Sequence, residues 1–163
     1  MHEAGHAIAI LKGEHTKGIV RKVTTVSNVQ TAGMVTFTLT GSPLFLNWES
    51  VVVALGGAAG EFVGRGGEID ADGLGPDLES ALKYSALILA EGWKPSPYTP
   101  MYDVASLHKN AIGDNERVVL NFFFNEAVGR VRRHDKHFYA LVNALLERRE
   151  LTGSQIKEVL SGI

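Results

Sequence analysis

Residues 2–11 read HEAGHAIAIL, an H-E-x-x-H motif that runs directly into an apolar segment. On a helix, positions i and i+4 project from the same face about one turn apart. His2 and His6 can therefore offer two imidazole nitrogens to one metal ion. Glu3 flanks that face, where its carboxylate can take a proton from a water that a zinc ion has made more acidic. The motif predicts a zinc site that hydrolyses its substrate with Glu3 as the general base.

The alternative interpretation of this motif is a solvated helix end, because H-E-x-x-H fixes only three residues and also occurs by chance on amphipathic helices. The flanking residues favour the metal site, since those from Ala4 to Leu11 other than His6 are small or apolar and predict a helix buried on most sides. Buried histidine and glutamate side chains need partners. Gly5 costs roughly 1 kcal/mol relative to alanine inside a helix, which indicates close approach of another backbone or of the metal site.

The bulk composition limits both the size of the fold and the chemistry of any metal site. The 163 residues are 45% hydrophobic, which predicts a single globular domain over residues 1–163. A net charge of -2 gives no electrostatic reason to expect nucleic-acid binding. Because the chain has no cysteine, disulfides, thiolate zinc sites and thiol nucleophiles are excluded. A metal must be held by histidine, aspartate or glutamate.

The longest apolar stretch, residues 51–60, has about half of the roughly twenty residues that a membrane helix needs. No basic-then-apolar signal segment precedes the motif. The sequence therefore predicts a chain without a membrane segment that is located in the cytoplasm.

The segments that follow the motif predict a small sheet. Lys12 and Gly13 are expected to end the first helix, with Gly13 in a left-handed cap. Residues 18–26 and 33–39 are rich in β-branched side chains and are predicted to be two strands, joined by a polar link over residues 27–32.

The rest of the chain is predicted to be helical, which makes the fold mainly α with a small β-sheet. One helix should run from an N-cap at Asn47 to Phe62 and stop at the glycines that follow, and its small residues 55–60 predict close packing against a neighbouring helix. After a glycine-rich loop, Pro76 should open a helix with Asp77 in its first turn. Further helices are predicted over residues 103–111, 115–150 and 153–160, with the basic run at residues 130–137 as a solvated face.

A catalytic zinc ion keeps three protein ligands and one open position, so the motif needs a third ligand from elsewhere in the chain. Spacing does not choose between the chemically suitable side chains. The candidates are His15, Glu61, Asp70, Asp72, Asp77 and His108.

The chain resembles the peptidase domain of FtsH-type ATP-dependent zinc metalloproteases along nearly its whole length. Five segments match that family in order. HEAGHA at residues 2–7 is similar to its zinc helix, RKVT at 21–24 and GMVTF at 33–37 to its two strands, LGGAAGE at 55–61 to its glycine-glycine helix, and DLESA at 77–81 to its aspartate segment. Residues 130–160 are similar to its C-terminal helices, which carry little specificity.

This resemblance implies a helical fold of the FtsH-peptidase type with a zinc cofactor. It selects Asp77 as the third ligand beside His2 and His6, with Glu3 as the catalytic base. It also implies that unfolded proteins or peptides bind as an extended strand along the sheet edge. The residues expected at that edge are Gly33, Met34, Val35, Thr36 and Phe37.

The family's peptidase domain normally follows an ATPase module, and no G-x-x-x-x-G-K-[ST] phosphate loop occurs in the 163 residues. The expected partners are unfolded protein or peptide substrates, together with a separate ATPase or a homo-oligomer such as a hexamer. Two alternatives stay open at the level of sequence. One is a catalytically idle or structural-metal adaptor that keeps the fold and binds an ATPase or another protein, and the other is a hydrolase of small amides.

Overall fold

A computed structural model describes residues 1–26 and 33–163. Over these residues the chain forms seven α-helices and a three-stranded antiparallel sheet. The prediction of a mainly α fold with a small β-sheet is confirmed. The predicted link over residues 27–32 lies outside the described residues. None of the helices in the described part combines the length and the apolar character that crossing a membrane requires.

Helix α1, His2–Leu11, carries the motif and is buried from Ala4 to Ile10. Its predicted end is confirmed, because the backbone leaves the helix at Lys12, with φ of -112°. The predicted left-handed cap at Gly13 is wrong. Among the described residues, the glycines with positive φ are Gly66, Gly67 and Gly92. The helix therefore ends without the glycine geometry that the sequence suggested.

The sheet has the order β2-β1-β3, so β2 lies at one edge. β1, Lys17–Thr24, pairs antiparallel with β2, Met34–Thr40, in a register that sets Lys17 opposite Thr40. Both strands were predicted, with ends that differ by one or two residues. β3, Glu150–Thr152, pairs with the other side of β1 and was not predicted, because three residues are too few for a strand pattern.

The predicted helix from Asn47 to Phe62 is two helices, and the N-cap prediction for Asn47 is wrong. α2, Pro43–Ala54, begins five residues earlier, with Ser42 as its extended N-cap residue and Pro43 in its first turn. Proline suits this position because its fixed φ is helical and its missing N–H has no helical partner there. The chain then turns at Leu55 into α3, Gly56–Gly64.

The close helix packing predicted for residues 55–60 is confirmed. α3 crosses α1 at Gly5, where an added Cβ would overlap the carbonyl oxygen of Gly56 and lie 2.9 Å from Cα of Gly60. Only glycine permits two backbones to approach this closely. The contact fixes α1 against the helix that follows Leu55.

The later helices include one further correction. α4, Gly75–Ala90, starts with proline in its first turn and carries Asp77 there, as predicted. The predicted helix over residues 103–111 is a short 3-10 turn, Val104–Leu107. The single long helix over residues 115–150 is wrong, because the chain breaks at His134 into α5, Asp114–Arg133, and α6, Asp135–Arg148.

This break lets two apolar faces reach different parts of the core. α5 packs on α1, α2, α3 and α4, whereas α6 packs on α1 and α7, and Val131 and Phe138 are both fully buried on either side of His134. A straight helix could not direct both faces inward. α7, Gly153–Ser161, follows β3 and has Thr152 as its N-cap residue.

The basic run over residues 130–137 was predicted to be solvated, which is wrong for Arg130. Arg130 is 4% exposed and forms two hydrogen bonds of 2.6 and 3.0 Å with the carboxylate of the buried Glu49. Its guanidinium also donates to the carbonyl oxygen of Ala9 at 2.8 Å. This ion pair joins α5 and α2 to the last turns of α1.

Candidate metal centre

The structure brings His2, His6 and Asp77 together at the first turns of α1 and α4. The Nε2 atoms of the two histidines are 3.1 Å apart, and Oδ2 of Asp77 lies 2.9 Å from the first and 3.1 Å from the second. Three potential ligand atoms thus form a nearly equilateral triangle. In the described part of the chain, these residues are the one group of three histidine, aspartate or glutamate side chains placed to hold a metal ion.

The dimensions of this triangle fit a zinc ion. Zinc binds imidazole nitrogen and carboxylate oxygen at about 2.0–2.2 Å, so tetrahedral ligand atoms lie roughly 3.3 Å apart, slightly farther than in this triangle. Because Gly57 has no side chain, the imidazole rings of His2 and His6 can lie close to its backbone. A Cβ at Gly57 would crowd Nε2 and Cε1 of His2 and lie 2.6 Å from Nε2 of His6. Two nitrogens, one carboxylate oxygen and a cradle without a side chain fit a catalytic zinc site.

The outer nitrogen of each histidine is held by a hydrogen bond. Nδ1 of His6 lies 2.7 Å from the carbonyl oxygen of Val53, in the last turn of α2. Because a carbonyl can only accept, Nδ1 of His6 carries the proton and Nε2 presents a lone pair. Nδ1 of His2 lies 3.0 Å from Oε1 of Glu61. Such outer contacts orient metal-binding histidines and raise their basicity.

Glu61, one of the candidate third ligands, contacts His2 on the side away from the triangle. Its second oxygen accepts a hydrogen bond of 2.7 Å from the backbone N–H of Asp70, in the loop before α4. Burial opposes the charge of Glu61, but the contacts with His2 and Asp70 lower its pKa. Glu61 therefore links the orientation of His2 to the loop that leads to Asp77.

The other four candidates lie outside the triangle. His15 stacks on Phe45 with ring centroids 4.6 Å apart, and His108 is half-buried and contacts the backbone of Asn110. Asp70 and Asp72 belong to the loop before α4, where the side chain of Asp70 accepts a hydrogen bond from the N–H of Asp72.

In the metal-free protein, the contact between His2 and Asp77 favours the protonated form of His2 and the ionised form of Asp77. Burial opposes ionisation of both His2 and Asp77, yet their mutual hydrogen bond favours the charged forms. With a further contribution from Glu61, the pKa of His2 rises to about 9, and the pKa of Asp77 falls well below its usual range. In the metal-free protein, His2 is therefore protonated at neutral pH.

Zinc affinity is expected to rise with pH because zinc must displace this proton. His2 is protonated below its raised pKa of about 9, and a ligand histidine must be neutral. The dissociation constant should therefore fall about tenfold between about pH 7 and about pH 8, and level off above the pKa. A chelator-competition titration at several pH values measures this slope. An affinity that does not change across this range would contradict the assignment of His2 as a ligand.

Glu3 is close to both histidines and lies against Gly33, the residue before the edge strand. Burial raises the pKa of its carboxyl group, against the opposing effect of His6 and His2. The carboxylate faces Gly33, the residue immediately before β2. The base predicted from the motif and the predicted substrate edge therefore lie side by side.

The residues predicted to bind substrate follow this edge. Gly33 and Val35 are half-buried, whereas Met34, Thr36 and Phe37 are exposed, with 44% of Met34 and 41% of Phe37 accessible to solvent. Exposed apolar side chains on an edge strand are unusual, because soluble proteins commonly protect such edges with charges or proline. β2 therefore presents two exposed apolar side chains along the edge of the sheet.

The sequence did not predict the roles of two residues at this site, Glu61 and Gly57. Glu61 was considered only as a metal ligand, and its contact with Nδ1 of His2 depends on how α3 crosses α1. Gly57 was interpreted only as a packing residue. The pair Gly56-Gly57 was the available signal, but nothing local indicates that one glycine faces a helix and the other faces two imidazoles.

The chain matches no protein-family profile. It is similar to the rice (Oryza sativa subsp. japonica) protein named ATP-dependent zinc metalloprotease FTSH 9, chloroplastic/mitochondrial, with 29% identity over 171 residues that cover 98% of this chain and 21% of the rice protein. The Arabidopsis thaliana protein named ATP-dependent zinc metalloprotease FTSH 11, chloroplastic/mitochondrial, is also 29% identical, over 98% of this chain and 20% of its own length. The chain spans about a fifth of each relative. It is thus a distant relative of proteins named as zinc metalloproteases.

Proposed function

We propose that this chain is a zinc-dependent endopeptidase that hydrolyses peptide bonds of unfolded proteins or peptides. The observation that carries the proposal is the triangle of Nε2 of His2, Nε2 of His6 and Oδ2 of Asp77, with edges of 2.9–3.1 Å and with both outer imidazole nitrogens held by acceptors. An ordinary ion pair would not require two imidazole nitrogens to point at one carboxylate oxygen. The distant similarity to zinc metalloproteases supports the same function.

The residues of the site would divide the chemistry between them. His2, His6 and Asp77 would hold the ion, which when bound supplies a Lewis acid that acidifies water and polarises a carbonyl group. Glu3 would accept the proton from the attacking water and return it to the leaving amine. Burial suits Glu3 to both steps, because its raised pKa lies closer to neutral pH than that of an exposed glutamate.

The substrate would bind along β2 as an added strand. Such binding gains main-chain hydrogen bonds that do not depend on sequence, which suits unfolded chains. The edge leads to the reacting groups because Gly33, just before β2, contacts Glu3. The exposed side chains of Met34 and Phe37 would add apolar contacts to substrate residues.

The test of this proposal is hydrolysis by the zinc-loaded chain of denatured casein and of a quenched fluorescent peptide library. Removing the metal with a chelator should abolish cleavage, and one equivalent of zinc should restore it. A natively folded, protease-resistant protein serves as the control substrate. Cleavage that survives complete removal of metal would overturn the proposal, whereas zinc binding without cleavage would favour the adaptor module.

The assembly of the active protein belongs to the same proposal. The relatives are named as ATP-dependent, and the chain spans about a fifth of their length. We propose that residues 1–163 form one peptidase domain that acts in the cytoplasm, either with a partner ATPase that delivers unfolded substrate or as a homo-oligomer such as a hexamer. Solution mass with and without ATPase candidates would measure this assembly.

A further inference from the structure

Gly33 lies against the side chain of Glu3 over much of the length of that side chain. A Cβ built at Gly33 would lie 2.8 Å from Cδ and 2.9 Å from Cγ of Glu3, and still closer to Oε1. These three atoms are the nearest to that position, ahead of any backbone atom. The missing side chain of Gly33 therefore provides the space in which the Glu3 carboxylate lies.

The other glycines of the site face different neighbours. Gly5 and Gly60 face backbone atoms across the contact between α1 and α3, where an added Cβ would push the two helices apart, and Gly57 faces the two imidazole rings. At Gly33 the nearest neighbour is a movable side chain, and the backbone φ of Gly33 is not in the left-handed region. An alanine at this position is thus compatible with the fold, provided that the Glu3 carboxylate moves.

We propose that Gly33 is a positioning residue for the hydrolytic reaction. Because Gly33 has no side chain, the Glu3 carboxylate can occupy the position from which it acts as the general base. The effect of Gly33 on catalysis rests on the proposed function, in which Glu3 is the general base of a zinc peptidase. This positioning role differs from contact with the substrate backbone. The edge strand and the general base are then coupled at one residue, where β2 begins.

The first test is the steady-state kinetics of the Gly33→Ala variant with the quenched fluorescent peptide. We expect kcat to fall about 100-fold, as for a reacting group displaced by about 1 Å, with KM unchanged and one zinc ion still bound per chain. Gly73→Ala is the matched control, because nothing lies within 4 Å of a Cβ at Gly73, and it should keep both constants. A raised KM with unchanged kcat would instead make Gly33 a substrate contact and overturn the proposal.

The second test is a double-mutant cycle on the thermal stability of the metal-free protein, which needs no catalysis. Gly33→Ala should lower Tm when Glu3 is present and should leave Tm unchanged or raise it in the Glu3→Ala background, since alanine also restricts the unfolded chain. Equal shifts in both backgrounds would overturn the contact. If the wild-type chain proves inactive, the proposed function fails while this cycle still tests the packing of Gly33 on Glu3.

Discussion

The Glu3→Gln variant is expected to keep one zinc ion per chain and to hydrolyse peptides about 100- to 10,000-fold more slowly than the wild type. Glutamine preserves the shape of the side chain and its contact with Gly33, but it cannot accept a proton. The ligand atoms of His2, His6 and Asp77 are unchanged, so metal binding should persist. Metal analysis of the purified variant and initial rates on the fluorescent peptide measure the two quantities separately.

The matched control for this variant is Glu79→Gln, on an exposed residue of α4 close to Asp77 in the sequence. It removes the same charge from the helix that carries the third ligand, without touching the triangle. We expect wild-type rates and zinc content for this control. Full activity of Glu3→Gln would contradict the role of Glu3 as the base, and loss of zinc from it would mean that Glu3 is part of the metal site.

Replacing Arg130 by methionine is expected to lower the free energy of unfolding by about 3–5 kcal/mol. The variant leaves the carboxylate of Glu49 buried without its cation, and it removes the hydrogen bond to the carbonyl oxygen of Ala9. Both partners of the pair have side chains that are at most 5% exposed, so solvent cannot replace the lost contacts. Urea denaturation of the metal-free protein measures this difference without any contribution from zinc.

The double variant Arg130→Met with Glu49→Leu shows whether the lost stability comes from the unpaired Glu49 carboxylate or from poorer packing of the core. Replacing both charges of a buried pair with apolar side chains is often neutral or stabilising, so most of the lost stability should return. A single variant within about 1 kcal/mol of the wild type would show that the ion pair contributes little. A double variant as unstable as the single one would mean that packing of the arginine stem dominates.

The parts of the fold that were predicted correctly from the sequence depend on local signals. The apolar run after His6 defined α1, the β-branched residues defined β1 and β2, and the proline before Asp77 defined the start of α4. In each case the residues that form the element also determine where it begins or ends. The last helix was predicted over residues 153–160 and is observed over Gly153–Ser161, where Thr152 forms a capping box with Gln155.

The parts that were wrong depend on contacts between distant residues. The breaks at Leu55 and His134 follow from which part of the core each helix covers, and helical periodicity continues through both positions. The basic run at residues 130–137 looked solvated because its partner, Glu49, is 81 residues away. A charge pattern within one helix cannot reveal such a partner.

The candidate site was predicted in part for the same reasons. The motif itself identified His2, Glu3 and His6 as a group on one helix. Spacing left six candidates for the third ligand, and only the resemblance to a family selected Asp77, which the structure places beside both imidazoles. The roles proposed for Gly33 and Gly57 need the positions of neighbouring side chains, because a glycine has no side-chain chemistry of its own to indicate them.

The most direct test of the zinc site is the X-ray absorption spectrum of the zinc-loaded chain at the zinc edge. We expect one ion per chain, bound by two imidazole nitrogens together with oxygen ligands at about 2.0–2.2 Å. The chain has six histidines and no cysteine, so the number of imidazoles is an informative quantity. A spectrum with two imidazoles would support His2 and His6 with a carboxylate as the ligands, whereas one with none, one or three would contradict the account.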